Sequence, residues 1–179
     1  MLIQLMWRLI KALPMALNIN LKELKALAAS REAEHSNLFK KLKRMPDGTV
    51  DKLFQDLHYS EFETFDCLEC ANCCSSISPS VTYNDVERLA KALRKRPSEL
   101  VSEYFKVDSD GDYVFRTSPC PFLMPDNYCM VYDSRPKACR EYPHTNRRRM
   151  KQIFEITKKN IAVCPLVYSI VEQLKGELK

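Results

Sequence analysis

The chain has 179 residues and a formal net charge of +5, and its 45% hydrophobic and 28% charged residues are ordinary for a folded globular protein. A chain of this length typically forms one domain with its own core, so we do not expect intrinsic disorder of the chain as a whole. Its three glycines, Gly48, Gly111 and Gly176, stand far apart, which excludes a glycine-rich phosphate loop and a dinucleotide-binding fingerprint.

The N-terminal residues 1–13 predict a helix that ends at Pro14. Gln4, Arg8 and Lys11 recur at i, i+4 and i+7 and form one polar stripe on a mostly apolar helix. Such a helix can bind a membrane surface or a partner, pack on the domain, or be a disordered leader. The polar residues interrupt the apolar run, which excludes a secretory signal, and no stretch approaches the ~20 apolar residues of a membrane span. We therefore expect a cytoplasmic protein with reduced thiols.

Two further helices are predicted before the first cysteine. One covers residues 21–44, the other runs from about Val50 to Phe62, and residues 45–48 form the turn between them. Their predicted inner faces consist of Leu21, Leu24, Ala28, Leu38 and Leu42 in the first helix and Val50, Leu53, Phe54 and Leu57 in the second.

Short helices are predicted after residue 80. Thr82 or Asn84 can cap a helix that continues to about Leu93. Ser98 can cap a second helix that continues to Phe105.

A small β element and two more helices complete the prediction. Residues 108–112 indicate a turn, and residues 113–116 a short strand followed by a hairpin that ends at residues 129–132. Pro136 suits the first turn of a short helix, and Pro165 suits the first position of the last helix. The predicted buried face of that last helix is Leu166, Val167, Ile170, Val171 and Leu174.

Eight cysteines are the most informative feature, and four of them lie within residues 67–74, Cys-Leu-Glu-Cys-Ala-Asn-Cys-Cys. Spacing by two residues lets a turning backbone aim successive sulfurs at one point, as in zinc sites and in bacterial ferredoxins. The ferredoxin run has its next cysteine after three residues, where this chain has Ile77. The predicted metal ligands are Cys67, Cys70, Cys73, Cys74, Cys120, Cys129, Cys139 and Cys164.

These thiols allow two four-sulfur sites, or one cluster with spare cysteines. Cys73 and Cys74 would point to opposite sides of an extended segment and could serve different sites. One alternative is that the cysteines are small buried apolar residues. Another is a nucleophilic cysteine, for which His35, His58 and His144 are the available bases. Disulfide exchange within the first cysteine pair is a third, but we find no βαβ pattern around it.

The cysteine pattern resembles a known family. Residues 67–74 are followed by Pro-Cys-Pro-Phe at 119–122, Cys-Met-Val-Tyr at 129–132 and Arg-Pro-Lys-Ala-Cys-Arg-Glu-Tyr-Pro at 135–143. Together they are similar to the YkgJ-type CxxCxxCC family of zinc- or iron-chelating domains, over about residues 60–170. The resemblance implies a bacterial metal-chelating domain with all eight cysteine positions filled. Flagellin lysine methylases carry a related domain associated with an iron–sulfur cluster, but this chain is much shorter, so methyl transfer is not implied.

The positive charge is concentrated in residues 135–159, which hold nine Lys or Arg and two Glu. Residues 147–149 could contact nucleic acid. Charge compensation beside a metal is the interpretation we favour, because four thiolates around Zn²⁺ or a four-iron cluster leave a net charge of about −2. Arg135 and Arg140 flank Cys139 and are predicted to stabilise that charge.

The sequence predicts an α-rich fold, mainly α with a small β element, in a single compact domain organised around a cysteine-ligated metal centre. Residues 1–20 would be an N-terminal amphipathic segment and residues 21–179 the metal-binding domain. The predicted cofactor is a 4Fe–4S cluster, with zinc as the alternative, in a protein of electron transfer or of redox or maturation function. The other hypotheses are a structural zinc domain and a metal carrier. No catalytic constellation is visible, and the predicted partners are the metal, an unidentified protein and a membrane surface bound by residues 1–13.

Overall fold

The structure of the protein is a computed structural model that describes residues 20–178. The described chain is mostly helical and has one two-stranded sheet, so the predicted α-rich fold with a small β element is confirmed. Within residues 20–178, no helix has both the length and the apolar character needed to cross a bilayer. In chain order the elements are α1 (Leu21–Ser30), α2 (Glu32–Lys43), α3 (Asp47–Phe62), α4 (Cys67–Cys70), α5 (Asn72–Ser76), α6 (Tyr83–Leu93), α7 (Pro97–Tyr104), β1 (Phe105–Val107), β2 (Tyr113–Phe115), α8 (Lys137–Glu141), α9 (Phe154–Ile161) and α10 (Pro165–Glu177), with 3₁₀ turns at Tyr132–Ser134 and Met150–Ile153.

The described chain divides into two compact units. The terminal unit consists of residues 20–65 and 143–178, and the cysteine unit consists of residues 66–142. The predicted helix over residues 1–13 lies outside the described residues. The assignment of residues 21–179 to one metal-binding domain stays a prediction.

Helix α10 forms the core of the terminal unit. It begins at Pro165, as predicted, because a proline at the first helical position lacks only an N–H that would have no helical partner. It packs against α1, α2, α3 and α9. All five residues of its predicted inner face are fully buried, namely Leu166, Val167, Ile170, Val171 and Leu174.

The predicted single helix over residues 21–44 is wrong at one point, since Arg31 separates α1 from α2. The hydroxyl of Ser30 donates to the Leu27 carbonyl at 2.8 Å, and Arg31 leaves the helical region with φ −112° and ψ 10°. The Arg31 guanidinium pairs with the buried carboxylate of Glu172 on α10. That ion pair joins residues 141 positions apart, so no local pattern could predict the break.

A buried histidine makes the terminal unit sensitive to acid. The Nδ1 atom of His58 lies 2.7 Å from the hydroxyl of Thr145, and burial lowers the pKa of His58. The unfolded chain therefore binds a proton that the folded unit disfavours. We expect neutral His58 to make its full contribution to the free energy of unfolding above pH 6.5, the ordinary pKa of histidine. As the pH falls below that value, the free energy of unfolding should decrease by at most about 1.4 kcal/mol per pH unit.

Urea unfolding at pH about 7.5 and about 5.5 measures this dependence. The His58→Gln variant should lose less stability between the two pH values than the parent chain. Equal losses in the two proteins would contradict the role of His58.

Local capping explains where the helices of the cysteine unit begin. Of the two predicted caps, Thr82 rather than Asn84 caps α6, and Asp85 completes a capping box with it. The prediction that Ser98 caps the next helix is wrong, because α7 begins at Pro97. Arg96 precedes that proline and is held extended, at φ −75° and ψ 144°, so the helix cannot start earlier.

The small sheet of the cysteine unit pairs β2 with the strand before it. The predicted turn at residues 108–112 is confirmed. The hairpin predicted to follow this strand and to end at residues 129–132 is present as a single antiparallel bridge between Leu123 and Cys129 rather than as paired strands. The Asp108 carboxylate accepts the amides of Asp110 and Asp112, both at 3.0 Å, and closes a tight turn that joins β1 to β2. The antiparallel register is Phe105↔Phe115, Lys106↔Val114 and Val107↔Tyr113.

Candidate metal centre

The four-cysteine run folds as two short helices, α4 and α5, which meet at Ala71. Asp66 caps α4, since its carboxylate accepts the Leu68 amide at 2.8 Å. Ala71 adopts the left-handed region at φ 44° and donates its amide to the Cys67 carbonyl at 2.8 Å. This change of direction places the first two cysteines on one helix and the last two on the next.

The second helix brings the adjacent cysteines together and holds a remote one. Cys73 and Cys74 lie in helical rather than extended backbone, so their predicted placement on opposite sides does not hold, and their sulfurs are 4.0 Å apart. The Cys120 amide donates to the Cys74 carbonyl at 2.9 Å. The Ser118 hydroxyl donates to the Ser75 carbonyl at 3.0 Å. The segment that carries Cys120 is therefore docked on α5.

A second remote cysteine is held by a loop anchored in the core of the unit. Cys129 pairs with Leu123 in an antiparallel bridge, and the Met130 amide donates to the Phe122 carbonyl at 2.9 Å. Phe122 is 1% exposed and belongs to the hydrophobic core of this unit, against which Cys120 and Cys129 also pack. The loop that carries Cys129 is therefore held in place by its hydrogen bond to the buried residue Phe122.

The third remote cysteine, Cys139, lies on the five-residue helix α8. The start of that helix is bound by Asp85, whose carboxylate accepts the Lys137 amide at 3.0 Å. Burial raises the pKa of Asp85, but hydrogen bonds from Thr82, Arg88 and the Lys137 amide outweigh it, so the net shift is downward. Asp85 was not predicted from the sequence as part of the site, although the Thr-x-x-Asp spacing of a capping box is its signal.

The thiols of this unit are mostly protonated when they are free. Partial removal of the sulfur atoms from water is the largest cause, even at Cys67, whose residue as a whole is exposed, and the charges of neighbouring thiolates add to it. These effects raise the pKa to about 11 at Cys120 and to about 12 at Cys139, and they raise it at Cys67, Cys70 and Cys129 as well. Metal binding at these sulfurs would therefore release protons.

Cys74 has the opposite shift. A hydrogen bond from Cys73 lowers the pKa of Cys74 to about 7 against the effect of burial, and the positive charge of Arg135 lowers it further. The charge of Cys74 in turn raises the pKa of each of the five thiols with upward shifts. Cys74 is therefore within electrostatic range of both the local and the remote cysteines.

One cationic side chain, that of Arg135, acts electrostatically on the thiols. The guanidinium carbon of Arg135 lies 3.5 Å from the ring centroid of Tyr132, which stacks on Tyr128 at 5.4 Å. Arg135 also donates its Nε to the Tyr132 carbonyl at 2.8 Å, and Arg140 donates to the Arg135 carbonyl at 3.1 Å. The predicted charge compensation is thus best supported at Arg135. Its positive charge lowers the pKa of four thiols, those of Cys67, Cys74, Cys129 and Cys139.

The comparison with protein families agrees with this arrangement. A family model described as "CxxCxxCC: putative zinc- or iron-chelating domain" matches residues 66–165. The chain belongs to the CxxCxxCC family. The resemblance inferred from the cysteine pattern is confirmed, and the matched range contains all eight cysteines. Among curated proteins and among solved structures, no match to the chain was found.

The cysteines of this CxxCxxCC domain are distributed over both units. Seven lie in the cysteine unit, where Cys67 is exposed and the others are half-buried. Cys164 lies in the terminal unit, is buried and precedes Pro165 as the N-cap of α10. Within residues 20–178, no three His, Cys, Asp or Glu side chains have the arrangement of a metal site. As donors, the seven thiols of one unit nevertheless fit zinc or iron, since soft thiolates select both.

Proposed function

We propose that the protein holds a 4Fe–4S cluster on thiolates of the cysteine unit and acts in electron transfer or as a redox or maturation factor. The proposal is carried by one observation: Cys74 lies with its sulfur 4.0 Å from that of Cys73, its carbonyl holds the Cys120 amide at 2.9 Å, and its charge acts on five other thiols of the unit. An all-thiolate donor set is typical of iron–sulfur clusters. The candidate ligands come from Cys67, Cys70, Cys73, Cys74, Cys120, Cys129 and Cys139, and Cys164 stays a predicted eighth.

The number and setting of these thiols favour a cluster over a structural zinc ion. A structural zinc site is closed by four ligands and needs no tuning of its charge. The cysteine unit has seven cysteines, three more than a structural zinc site needs. The positive charge of Arg135 acts on four of the seven. Such a charge stabilises an anionic cluster and raises its reduction potential.

The residues of the cysteine unit would each act in a definite way. The thiols lose their protons on binding and supply the negative donors. Arg135 offsets part of the resulting charge, and the core around Phe122 excludes water from one side. The unit contains no histidine, so no imidazole within it could activate a nucleophilic cysteine. A bound cluster would supply reversible one-electron chemistry.

A metal carrier is the second candidate, favoured by the exposure of Cys67. Cys67 is the first cysteine of the four-cysteine run and the one exposed cysteine in the described part of the chain. A competing ligand can reach a metal beside an exposed cysteine and displace that thiolate, which then takes up a proton, so that the bound metal can leave. A carrier would exchange its metal readily with a chelator, whereas a shielded cluster would not.

Elemental and acid-labile sulfide analysis of protein purified without oxygen tests the proposal. Iron and sulfide in equal amounts, with a broad visible absorbance, are the expected result. Zinc at one or two ions per chain without sulfide would overturn the iron–sulfur proposal. Rapid transfer of that zinc to a chelator would then support the carrier, and retention would support a structural zinc site.

Replacing Arg135 tests the charge at the centre. We expect Arg135→Met to lower metal affinity by about 10-fold and to lower the potential of a cluster, because a positive charge beside the thiolates is lost. Arg140→Met is the matched control, since Arg140 carries the same charge and likewise donates to a backbone carbonyl, whereas Arg135 is the arginine whose charge lowers the pKa of four thiols; the control should change both quantities less. Chelator competition and redox titration measure them, and equal effects of the two substitutions would count against Arg135.

A further inference from the structure

We propose that Asp85 and Arg88 form a clamp that positions Cys139 for the metal, although neither residue is a ligand. The inference rests on the proposed metal binding and adds two positioning residues to it. It applies equally to an iron–sulfur cluster and to zinc, because it concerns how one thiol is held. Both residues lie on α6, which contains no cysteine.

The carboxylate of Asp85 binds two separate segments. One oxygen accepts the Thr82 amide at 3.0 Å and the Thr82 hydroxyl at 2.7 Å, which completes the helix cap. The other oxygen accepts the Lys137 amide at 3.0 Å, at the first residue of α8. Asp85 is 2% exposed, and a carboxylate is rarely buried to this extent without such partners.

Arg88 adds a second point of attachment. Its guanidinium donates to the carboxylate of Asp85 and, at 2.7 Å, to the carbonyl of Arg135. The clamp therefore binds the chain on both sides of Pro136, at a carbonyl before it and an amide after it. Cys139 follows the second attachment by two residues.

Helix α8 needs such a clamp because it cannot be stable alone. It has five residues, and isolated helices shorter than ~12–15 residues are marginal in water. The orientation of Cys139 is consequently set by what binds the start of α8. A capping box on α6 would require only Thr82 and Asp85, so the bonds to residues 135 and 137 exceed the needs of α6 itself.

The test is a double-mutant cycle between Asp85 and Cys139, with Co²⁺ as the probe. Thiolate-to-cobalt absorption reports how many sulfurs bind, and competition with a chromophoric chelator gives the affinity. We expect Asp85→Asn to lower Co²⁺ affinity by roughly 10-fold and to weaken the thiolate absorption as Cys139→Ser does. In the double variant the Asp85 substitution should add little, because Asp85 acts through Cys139.

Two further variants separate positioning from stability. Glu99→Ala removes the capping box of α7, which lies in the same unit and does not include Asp85, so it should lower the unfolding midpoint and leave Co²⁺ affinity unchanged. Arg88→Met leaves the capping box of α6 intact. It should lower Co²⁺ affinity as Asp85→Asn does and likewise add little to Cys139→Ser, and it provides the test if the Asp85→Asn variant does not fold. Additive effects with Cys139→Ser, or unchanged affinity in both clamp variants, would overturn the clamp. A parent chain without thiolate-to-cobalt absorption would instead contradict the proposed metal binding, and the clamp with it.

Discussion

The Cys74→Ser variant is expected to lose stoichiometric metal binding. Its thiol is the one whose charge acts on five others, and its carbonyl also receives the amide of Cys120. Removing it takes away a thiolate whose charge acts on both the local and the remote cysteines. The loss of affinity should exceed the 10–100-fold that is typical of residues outside the coordination sphere. Metal per chain and thiolate charge-transfer absorption measure it.

Ser76→Ala is the matched control for that substitution. Ser76 lies on the same helix, is exposed, and its hydroxyl donates locally to the Asn72 carbonyl, so the variant should keep its metal. Cys67→Ser should give insoluble or metal-free protein, like Cys74→Ser. Cys164→Ser tests the predicted eighth ligand in the terminal unit. A soluble Cys74→Ser variant with a full complement of metal would show that Cys74 is not a ligand.

Metal removal is expected to destabilise the cysteine unit selectively. Metal binding and folding are coupled wherever the ligands converge only in the folded chain. Helices α4, α5 and α8 have four, five and five residues and cannot be stable in isolation. At a free metal concentration about 1,000 times the Kd, binding contributes about 4 kcal/mol, which a chelator would remove.

Hydrogen exchange read by mass spectrometry measures this effect by segment. Peptides from residues 66–142 should lose protection after chelation, most of all those covering α4, α5 and α8. Peptides from α10 serve as the internal control, because that helix is buried by its own apolar face and should keep its protection. Restored protection after metal is added back completes the test. Unchanged exchange across residues 66–142 would contradict coupling between the metal and this unit.

One of these measurements distinguishes a zinc ion from an iron–sulfur cluster. A zinc ion and an iron–sulfur cluster would both protect the cysteine unit, so hydrogen exchange alone does not separate them. The effect of Arg135→Met on a reduction potential does, since zinc has no redox chemistry. The positive charge of Arg135 can change a reduction potential only at a redox-active centre. Its effect on metal affinity would be the same in kind for zinc and for a cluster.

Several features were predictable because their causes are local. Proline at the first helical position predicted the start of α10, and a threonine cap predicted the start of α6. The aspartates of residues 108–112 predicted the hairpin turn, and the 3.6-residue period predicted the buried face of α10. The two-residue spacing of the cysteines predicted metal chelation, which membership of the CxxCxxCC family supports.

Other features depend on contacts between residues that are far apart in the chain. The break at Arg31 depends on Glu172, which lies 141 residues later, and the position of α8 depends on Asp85, which lies 52 residues before Lys137. The central place of Cys74 depends on the docking of the Cys120 segment on α5. Local sequence patterns indicate helix propensity and the period of buried side chains. The break at Arg31 and the position of α8 depend instead on the buried carboxylate to which each segment is hydrogen-bonded, and the place of Cys74 depends on a backbone carbonyl. The sequence by itself therefore determined which donor atoms the chain offers to a metal, and the tertiary structure decided which cysteine-bearing segments are bonded to each other and through which contacts.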